Sequence, residues 1–144
     1  MIVRVGLAPR ARGLDLVGFQ DHWRSQHAGL ALRIPGLLAY VQNHAVLVDG
    51  RPMLPWPGFD ACAETSFDSL DAMDAGFASK EYQDDVRVDE DVLIDKAAFV
   101  FALCELHELA PAPQGARRGG EGPVPADTSP AKLLTMFRAH PSSG

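Results

Sequence analysis

The chain has 144 residues, of which 47% are apolar and 22% charged, a balance typical of one globular domain. Thirteen Lys and Arg against nineteen Asp and Glu give a net charge of −6, the wrong sign for holding a nucleic-acid backbone by counterion release. No window approaches the roughly 18 consecutive apolar residues of a membrane span, and the first residues lack a signal-peptide pattern. We therefore expect a soluble, cytoplasmic protein without a nucleic-acid or membrane partner.

The first half of the chain predicts strand, helix and strand. Residues 2–7 form a short apolar run that ends before Pro9, which is typical of a strand. Asp15 can cap a helix whose apolar residues recur at helical spacing as far as the stop at Pro35 and Gly36. Residues 37–48 are rich in Val, Leu and Tyr and predict a second strand, followed by a Pro-rich loop over 51–58.

The second half repeats this order from strand to helix to strand. Residues 60–67 alternate between a more and a less apolar side, as in a half-buried strand. Asp68 and Asp71 predict a helix start, and a further helical turn is expected after Ser79. Residues 96–106 form a strongly apolar last strand. The order β-α-β-β-α-β predicts an α+β, ferredoxin-like plait with a four-stranded antiparallel sheet over residues 1–109.

One face of such a sheet is covered by the two helices, and the other stays open. We expect the open face to carry Tyr40 and several apolar groups, which favours a cover. A second copy packed face to face, giving a homodimer, or a following repeat would provide it. In the usual strand order the first strand separates Cys62 from Cys104, and their spacing predicts neither a disulfide nor a metal site.

Beyond the plait the composition changes. Nine of the 22 residues in 110–131 are Pro or Gly, so this segment is predicted to be a linker, or a strap lying across a neighbouring subunit. Residues 132–144 resemble the start of the chain in their pattern of residue types, with a short apolar run followed by a turn ending in Gly144. Two alternatives stay open for this strand-like tail: chance resemblance, and the start of a truncated second repeat.

The residues that could carry chemistry concentrate in two segments, 19–30 and 34–44. Trp23 and His27 share a face of an ideal helix, whereas His22 and His27 diverge by about 140° and are poor joint metal ligands. On the following strand, Tyr40, Gln42 and His44 point to one side. We expect His27, Tyr40 and His44 to be catalytic and Trp23, Gln42 and Glu64 to bind substrate, because His and Tyr suit proton transfer in an apolar cleft.

Each candidate also has a structural interpretation. His27 could cap helix carbonyls, Tyr40 could pack in a dimer interface, and His44 could be an exposed strand-end histidine. Trp23 could belong to the core. Glu64 is expected to face the cleft and to orient a histidine or act as a base, but it could also occupy a solvated edge. The acidic run that follows is interpreted as a solvated face without a metal: Asp84, Asp85, Asp89, Glu90 and Asp91.

Several enzyme classes lack their motifs here. The sequence contains no G-x-S-x-G, H-E-x-x-H, P-loop or G-x-G-x-x-G pattern, so no hydrolase elbow, zinc protease or nucleotide site is indicated. We expect no cofactor, although a cleft histidine leaves haem binding open.

Four motifs, in order along residues 1–108, resemble the EthD family. They are F-x-x-H-W-R-x-x-H-A at 19–28, P-G-L-x-x-Y-V-Q-N at 35–43, F-D-A-x-A-E-x-x-F-D at 59–68 and D-E-x-x-x-I-D at 89–95. The resemblance implies a dimeric α+β barrel in which two plaits join their open sheet faces. Gly29 departs from the family pattern, which commonly has Pro there, and the Pro-rich loop could reshape the mouth of the cleft.

The resemblance also bears on function. Members of the broader superfamily include methylmuconolactone methylisomerase, muconolactone isomerase and aromatic polyketide cyclases, which move protons without a cofactor, and His27 and Tyr40 fall where the methylisomerase has a cleft histidine and tyrosine. The expected function is a cofactor-independent isomerase, cyclase or dehydratase acting on a hydrophobic, oxygenated small molecule. Two alternatives are a non-catalytic ligand-binding or accessory protein for an oxidative pathway, and a haem-handling protein.

Overall fold

The structure, a computed structural model, describes residues 1–107. Within them, four strands form one antiparallel sheet: β1 (Ile2–Ala8), β2 (Ala39–Asn43), β5 (Ala61–Phe67) and β6 (Val100–Glu105), in the order β2-β5-β1-β6. This is the predicted ferredoxin-like α+β plait, and β1 separates the strands of the two cysteines as expected. The predicted linker over 110–131 and tail over 132–144 lie outside the described residues.

The helical layer consists of two segments that each contain a π-helical turn. The first runs through α1 (Leu16–His22), a π turn (Trp23–His27) and α2 (Ala28–Ala31). The second runs through α3 (Leu70–Ala78), a π turn (Glu81–Val86) and α4 (Arg87–Leu93). Asp15 caps α1 as predicted, its carboxylate accepting a hydrogen bond from the Gly18 amide at 2.7 Å. No helix in the described part of the chain is long and apolar enough to cross a membrane.

Three boundaries differ from the prediction. The second strand is shorter, because beyond Asn43 the chain leaves β5 and forms a small hairpin of β3 (Leu47–Val48) and β4 (Arg51–Pro52). Asp49 and Gly50, both at positive φ, make its turn. The cap of α3 is Ser69 and not Asp68, since the Ser69 hydroxyl accepts from the Ala72 amide. The last strand begins at Val100, after a 3-10 turn at Lys96–Ala98.

The two faces of the sheet have different neighbours. Alternation and register place Arg4, Tyr40 and Thr65 towards the helices. Their neighbours along the strands point the other way, to the open face: Val5, Leu7, Val41, Glu64 and Val100. The expectation that Tyr40 lies on the open face is therefore wrong, because the indole of Trp23 on the first helical segment donates to the Tyr40 hydroxyl.

The core divides into two clusters beneath the helices. Phe19, Trp23 and Leu93 belong to one, and Phe67 and Met73 to the other. The second cluster depends on Gly76 of α3, where a Cβ atom would lie 2.8 Å from the Pro35 carbonyl oxygen. Helix and chain can approach this closely only because glycine has no side chain.

Two glycine substitutions test this close approach. Gly76→Ala should lower the free energy of unfolding by about 2 kcal/mol, because the backbone of Pro35 cannot move aside cheaply. Gly29→Ala is the matched control: Gly29 is exposed in α2, a Cβ meets nothing within 4 Å, and the variant should gain roughly 0.5–1 kcal/mol from helix propensity. Urea unfolding of both full-length variants measures the difference. Equal effects would contradict the predicted packing.

Candidate active site

A cavity of about 70 Å³ lies between the sheet and the helices. Its wall is mostly apolar, with Trp23, Ile34 and Leu93 from the helical side and Ala61 and Ala63 from β5. His27, Tyr40, Tyr82, Arg4 and Glu90 supply the polar groups that line it. A mostly apolar pocket with a few convergent polar groups is the usual form of a small-molecule site.

His27 is held by a buried carboxylate that the sequence did not suggest. Its Nδ1 lies 2.8 Å from Oδ2 of Asp89, and both residues are more than nine-tenths buried. Asp89 also accepts from Nε2 of His22 at 2.7 Å and from the amide of Gln26 at 3.1 Å. An ionised Asp89 requires N–H donors, so the network assigns the proton of neutral His27 to Nδ1. Nε2 of His27 then carries a lone pair, and it has no hydrogen-bond partner within residues 1–107.

The π turn at Trp23–His27 explains how two histidines reach one carboxylate. On an ideal α-helix His22 and His27 would diverge. The wider π turn, with hydrogen bonds from i to i+5, brings residues five apart to one side of the helix. The two histidines thus share Asp89 of α4, instead of pointing apart as the sequence reasoning supposed.

The Tyr40 hydroxyl is oriented by two donors. Its oxygen accepts from the indole Nε1 of Trp23 at 3.0 Å and from Nε2 of Gln42 at 3.1 Å. A phenol oxygen has two acceptor positions and one proton, so both acceptor positions are filled and the proton remains available to a ligand. Burial raises the pKa of Tyr40 above its usual value, which keeps this proton in place at neutral pH.

His44 stands behind Trp23 and does not line the cavity. Its ring packs on the indole with centroids 4.5 Å apart, and its Nε2 lies 2.9 Å from Oε1 of Gln42. Because Nε2 of Gln42 donates to the Trp23 carbonyl oxygen at 2.8 Å, the amide orientation is fixed and His44 must donate through Nε2. Its Nδ1 is a buried acceptor that has no partner among the described residues.

Glu64 is not part of this site. It lies on the open face of β5, opposite Val5 and Val41, where Nδ2 of Asn43 donates to its Oε1 at 2.9 Å. The expectation that Glu64 faces the cleft and orients a histidine is wrong, because alternation along β5 points it away from the helices. The carboxylate that orients a histidine in this structure is that of Asp89.

Four residues of the site were missed or misinterpreted: Arg4, Tyr82 and Glu90, which line the cavity, and Asp89, which holds His27. Asp89 and Glu90 were placed on a solvated face, although they begin the motif at 89–95. Glu90 accepts from the Tyr82 hydroxyl at 3.2 Å, and burial raises the pKa of Tyr82 to about 12. Arg4 could have been recognised as a candidate from the sequence, because it is the one charged residue in the otherwise apolar strand β1.

The described residues form no cluster of metal ligands. Among residues 1–107 no three His, Cys, Asp or Glu side chains converge as metal ligands.

The pH dependence of the free energy of unfolding tests whether His44 is buried as the structure shows. Burial, and secondarily the charge of Arg24, lowers the pKa of His44 from 6.5 to about 4. Between these values the unfolded chain takes up a proton that the folded chain does not, so stability falls as the pH falls through this window. Urea unfolding should show the parent losing about 1 kcal/mol more than His44→Gln between pH 7 and pH 5, after allowance for the partly exposed ring. Parallel losses in the two proteins would contradict the assigned environment.

Both the sequence and the fold of this chain are similar to those of EthD proteins. The family model of the EthD domain matches residues 11–97, more than half of the chain. The fold is similar to that of an EthD family protein from Bacillus halodurans, with a TM-score of 0.58, 18% identity, and coverage of 74% of this chain and 99% of that one. Among functionally curated proteins the sequence has no significant match.

Two further solved structures share the fold. One is a dimeric ferredoxin-like protein of unknown function from Thermobifida fusca, with a TM-score of 0.55, 16% identity, and coverage of 73% of this chain and 90% of that one. The other is SnoaB, a cofactor-independent oxygenase from Streptomyces nogalater, with a TM-score of 0.50, 11% identity, and coverage of 77% and 97%. The match to the domain model, together with the four-stranded plait, confirms the resemblance seen in the sequence: this chain belongs to the EthD family.

Proposed function

We propose that the cavity is the active site of a cofactor-independent isomerase, cyclase or dehydratase that transfers a proton on a hydrophobic, oxygenated small molecule. The observation that carries this proposal is the His27–Asp89 pair, which leaves Nε2 of His27 as a base in an apolar cavity that Tyr40 also lines. An oriented imidazole and an available O–H donor that line the same cavity are the minimum needed to remove a proton next to a carbonyl group.

In the first step, Nε2 of His27 takes a proton from the carbon next to the substrate carbonyl. The bonding pair of that C–H bond moves into the new C=C bond, and the carbonyl oxygen becomes an enolate oxygen. Tyr40 donates a hydrogen bond to this oxygen and stabilises its developing charge. Asp89 stabilises the imidazolium that forms, because its carboxylate lies 2.8 Å from the Nδ1 atom.

In the second step, the imidazolium returns the proton. Delivery to another carbon of the enolate gives an isomer, and delivery to a departing hydroxyl group gives a dehydrated product. Both outcomes regenerate neutral His27 and need no external oxidant or reductant. Ile34, Ala63 and Leu93 give the enolate a mostly apolar surrounding, in which hydrogen bonds to its oxygen are stronger than in water.

Gln42 and His44 act in this scheme as positioning residues. His44 donates to Oε1 of Gln42, and Nε2 of Gln42 donates to the Tyr40 oxygen and to the Trp23 carbonyl. This chain of hydrogen bonds directs the Tyr40 proton away from the protein and towards a ligand. Trp23 contributes the second donor to Tyr40 and one wall of the cavity.

Hydrogen exchange tests the chemistry before the natural substrate is known. With α-angelica lactone in D₂O, NMR should show deuterium incorporation accelerated by the protein without any cofactor. His27→Gln should lower this rate by about 10²–10⁴-fold, the usual contribution of a general base. Tyr40→Phe should lower it by about 10²-fold, because one donor to the enolate oxygen is lost.

His22→Gln is the matched control. His22 also binds Asp89 but does not line the cavity, so its loss should reduce the rate by less than about tenfold. Equal losses in His22→Gln and His27→Gln would show that the pair is structural. Binding of the lactone without acceleration of exchange would favour the non-catalytic ligand-binding protein instead.

We further propose that the chain forms a homodimer through its open sheet face. The face presents Val5, Leu7, Val41 and Val100, and burying such apolar groups is favourable. Structural neighbours from Thermobifida fusca and Bacteroides fragilis are described as dimeric.

A pair of equally exposed valines tests the dimer. Val100, on the open face, is 58% exposed, and Val88, on the outside of α4, is 57% exposed. Val100→Lys should weaken the dimer by at least about tenfold, since an unpaired ammonium would be buried, whereas Val88→Lys should not. Light scattering coupled to size exclusion measures the mass over a concentration series. A monomeric parent, or an unchanged Val100→Lys dimer, would refute this interface.

A further inference from the structure

Arg4 places a cation inside the cavity, on the central strand β1. Its guanidinium carbon lies 4.5 Å from the ring centre of Phe77, 5.1 Å from that of Phe99 and 4.6 Å from that of Phe101. Aromatic faces at such distances stabilise a cation electrostatically. They satisfy its five N–H donors only weakly, because a ring is a poor acceptor compared with a carboxylate.

No carboxylate of the described residues forms an ion pair with Arg4, and no oxygen among them accepts a hydrogen bond from its side chain. Burial has the largest effect on this group and lowers the pKa of Arg4. The charges of Tyr82 and Glu90 act in the opposite direction and raise it by less. A half-buried cation without an acceptor is costly unless something else supplies one. A bound anion would provide the missing acceptor.

A glycine on β1 allows one of the three aromatic rings to pack beside Arg4. Gly6 follows Arg4 on the same face of β1, and a Cβ there would lie 3.0 Å from the Phe99 ring. The glycine therefore lets Phe99 lie against the strand, where its ring contacts the guanidinium. Substitution of Gly6 would push this ring outward.

Arg4 also lines a neighbouring groove of about 300 Å³, which shares with the cavity the lining residues Arg4, Tyr82, Glu90, Ile94 and Phe99. Arg4, Arg87 and Lys96 bring three positive charges to it, against the negative charge of Glu90 and that of Asp91, whose Oδ1 lies 2.7 Å from the Lys96 ammonium. Glu90 is occupied by the Tyr82 hydroxyl at 3.2 Å and lies 3.8 Å from the Lys96 ammonium. In a chain of net charge −6, this groove is locally positive.

We propose that the substrate of the active site carries a carboxylate, and that Arg4 binds this carboxylate where the cavity meets the groove. The proposal rests on the proposed function and narrows its substrate class to oxygenated carboxylic acids. The planar guanidinium can hold both carboxylate oxygens at once. With the carboxylate fixed at the groove, the rest of the molecule extends into the apolar cavity towards Tyr40 and His27.

Two probes of the same shape and different charge test this assignment: 2-furoate and 2-furamide. The chain has two tryptophans, so its NMR spectrum contains two indole N–H signals, one of them from Trp23 in the cavity wall. Titration of this signal gives Kd for each probe with the full-length protein. We expect the parent to bind 2-furoate about tenfold more tightly than 2-furamide, as charge-assisted bidentate bonds require.

Three variants assign the preference to Arg4. Arg4→Met keeps an apolar stem among the rings and should bind both probes equally. Glu90→Gln removes the nearest competing carboxylate and should strengthen binding of 2-furoate but not of 2-furamide. Arg87→Met is the control, because Arg87 lines only the outer groove and should change the preference by less than about threefold.

The outcomes separate this proposal from the proposed function. Equal binding of the two probes by the parent, or a preference that survives in Arg4→Met, would overturn the carboxylate site while leaving lactone exchange by His27 intact. If Arg4→Met does not fold, Glu90→Gln decides: unchanged 2-furoate binding overturns the proposal. A Trp23 signal that moves with neither probe would overturn it as well, and exchange of the lactone would then be the independent test of catalysis.

Discussion

The buried carboxylate of Asp89 is the group on which the arrangement of the site depends. It accepts hydrogen bonds from His22, Gln26 and His27, and it thereby joins α4 to the first helical segment. A buried charge is tolerated only when donors compensate it, and three donors occupy three of the roughly four acceptor positions of Asp89. The same contacts fix the ring of His27 and the nitrogen that faces the cavity. The stability of the fold and the proposed proton transfer therefore depend on the same interaction.

The alternation of side chains along the sheet separates two roles. Towards the helices, β1, β2 and β5 contribute Arg4, Tyr40 and Thr65 to one cavity. Away from the helices, the intervening residues Val5 and Val41 form the face through which we propose that two copies associate. A one-residue shift in the register of β2 would exchange these roles, because successive side chains point to opposite faces. In the register that β2 adopts against β5, Tyr40 is placed to accept the hydrogen bond from Trp23.

The sequence predicted most of the fold because its signals are local. Asp15 caps the first helix, Pro35 and Gly36 end that segment, and the alternation in 60–67 marks β5. The sequence also identified His27, Tyr40 and Trp23, which the structure brings together around the cavity. It misjudged Glu64, since alternation shows which residues share a side but not which side meets the helices. It missed Asp89, since one acidic residue in an acidic run looks no different from its solvated neighbours.

The sequence by itself determined the family, the order of the elements and the residue types available for proton transfer, because motifs, caps and turns act over short stretches of chain. Only the tertiary structure decided which of those residues meet. The π turn at Trp23–His27 brings His22 and His27 to one side of the helix, and packing then places both against a carboxylate more than sixty residues away. Likewise, only packing surrounds Arg4 with three aromatic rings and leaves its donors without a carboxylate partner among residues 1–107. Such long-range pairings depend on the whole folded chain, and no local pattern encodes them.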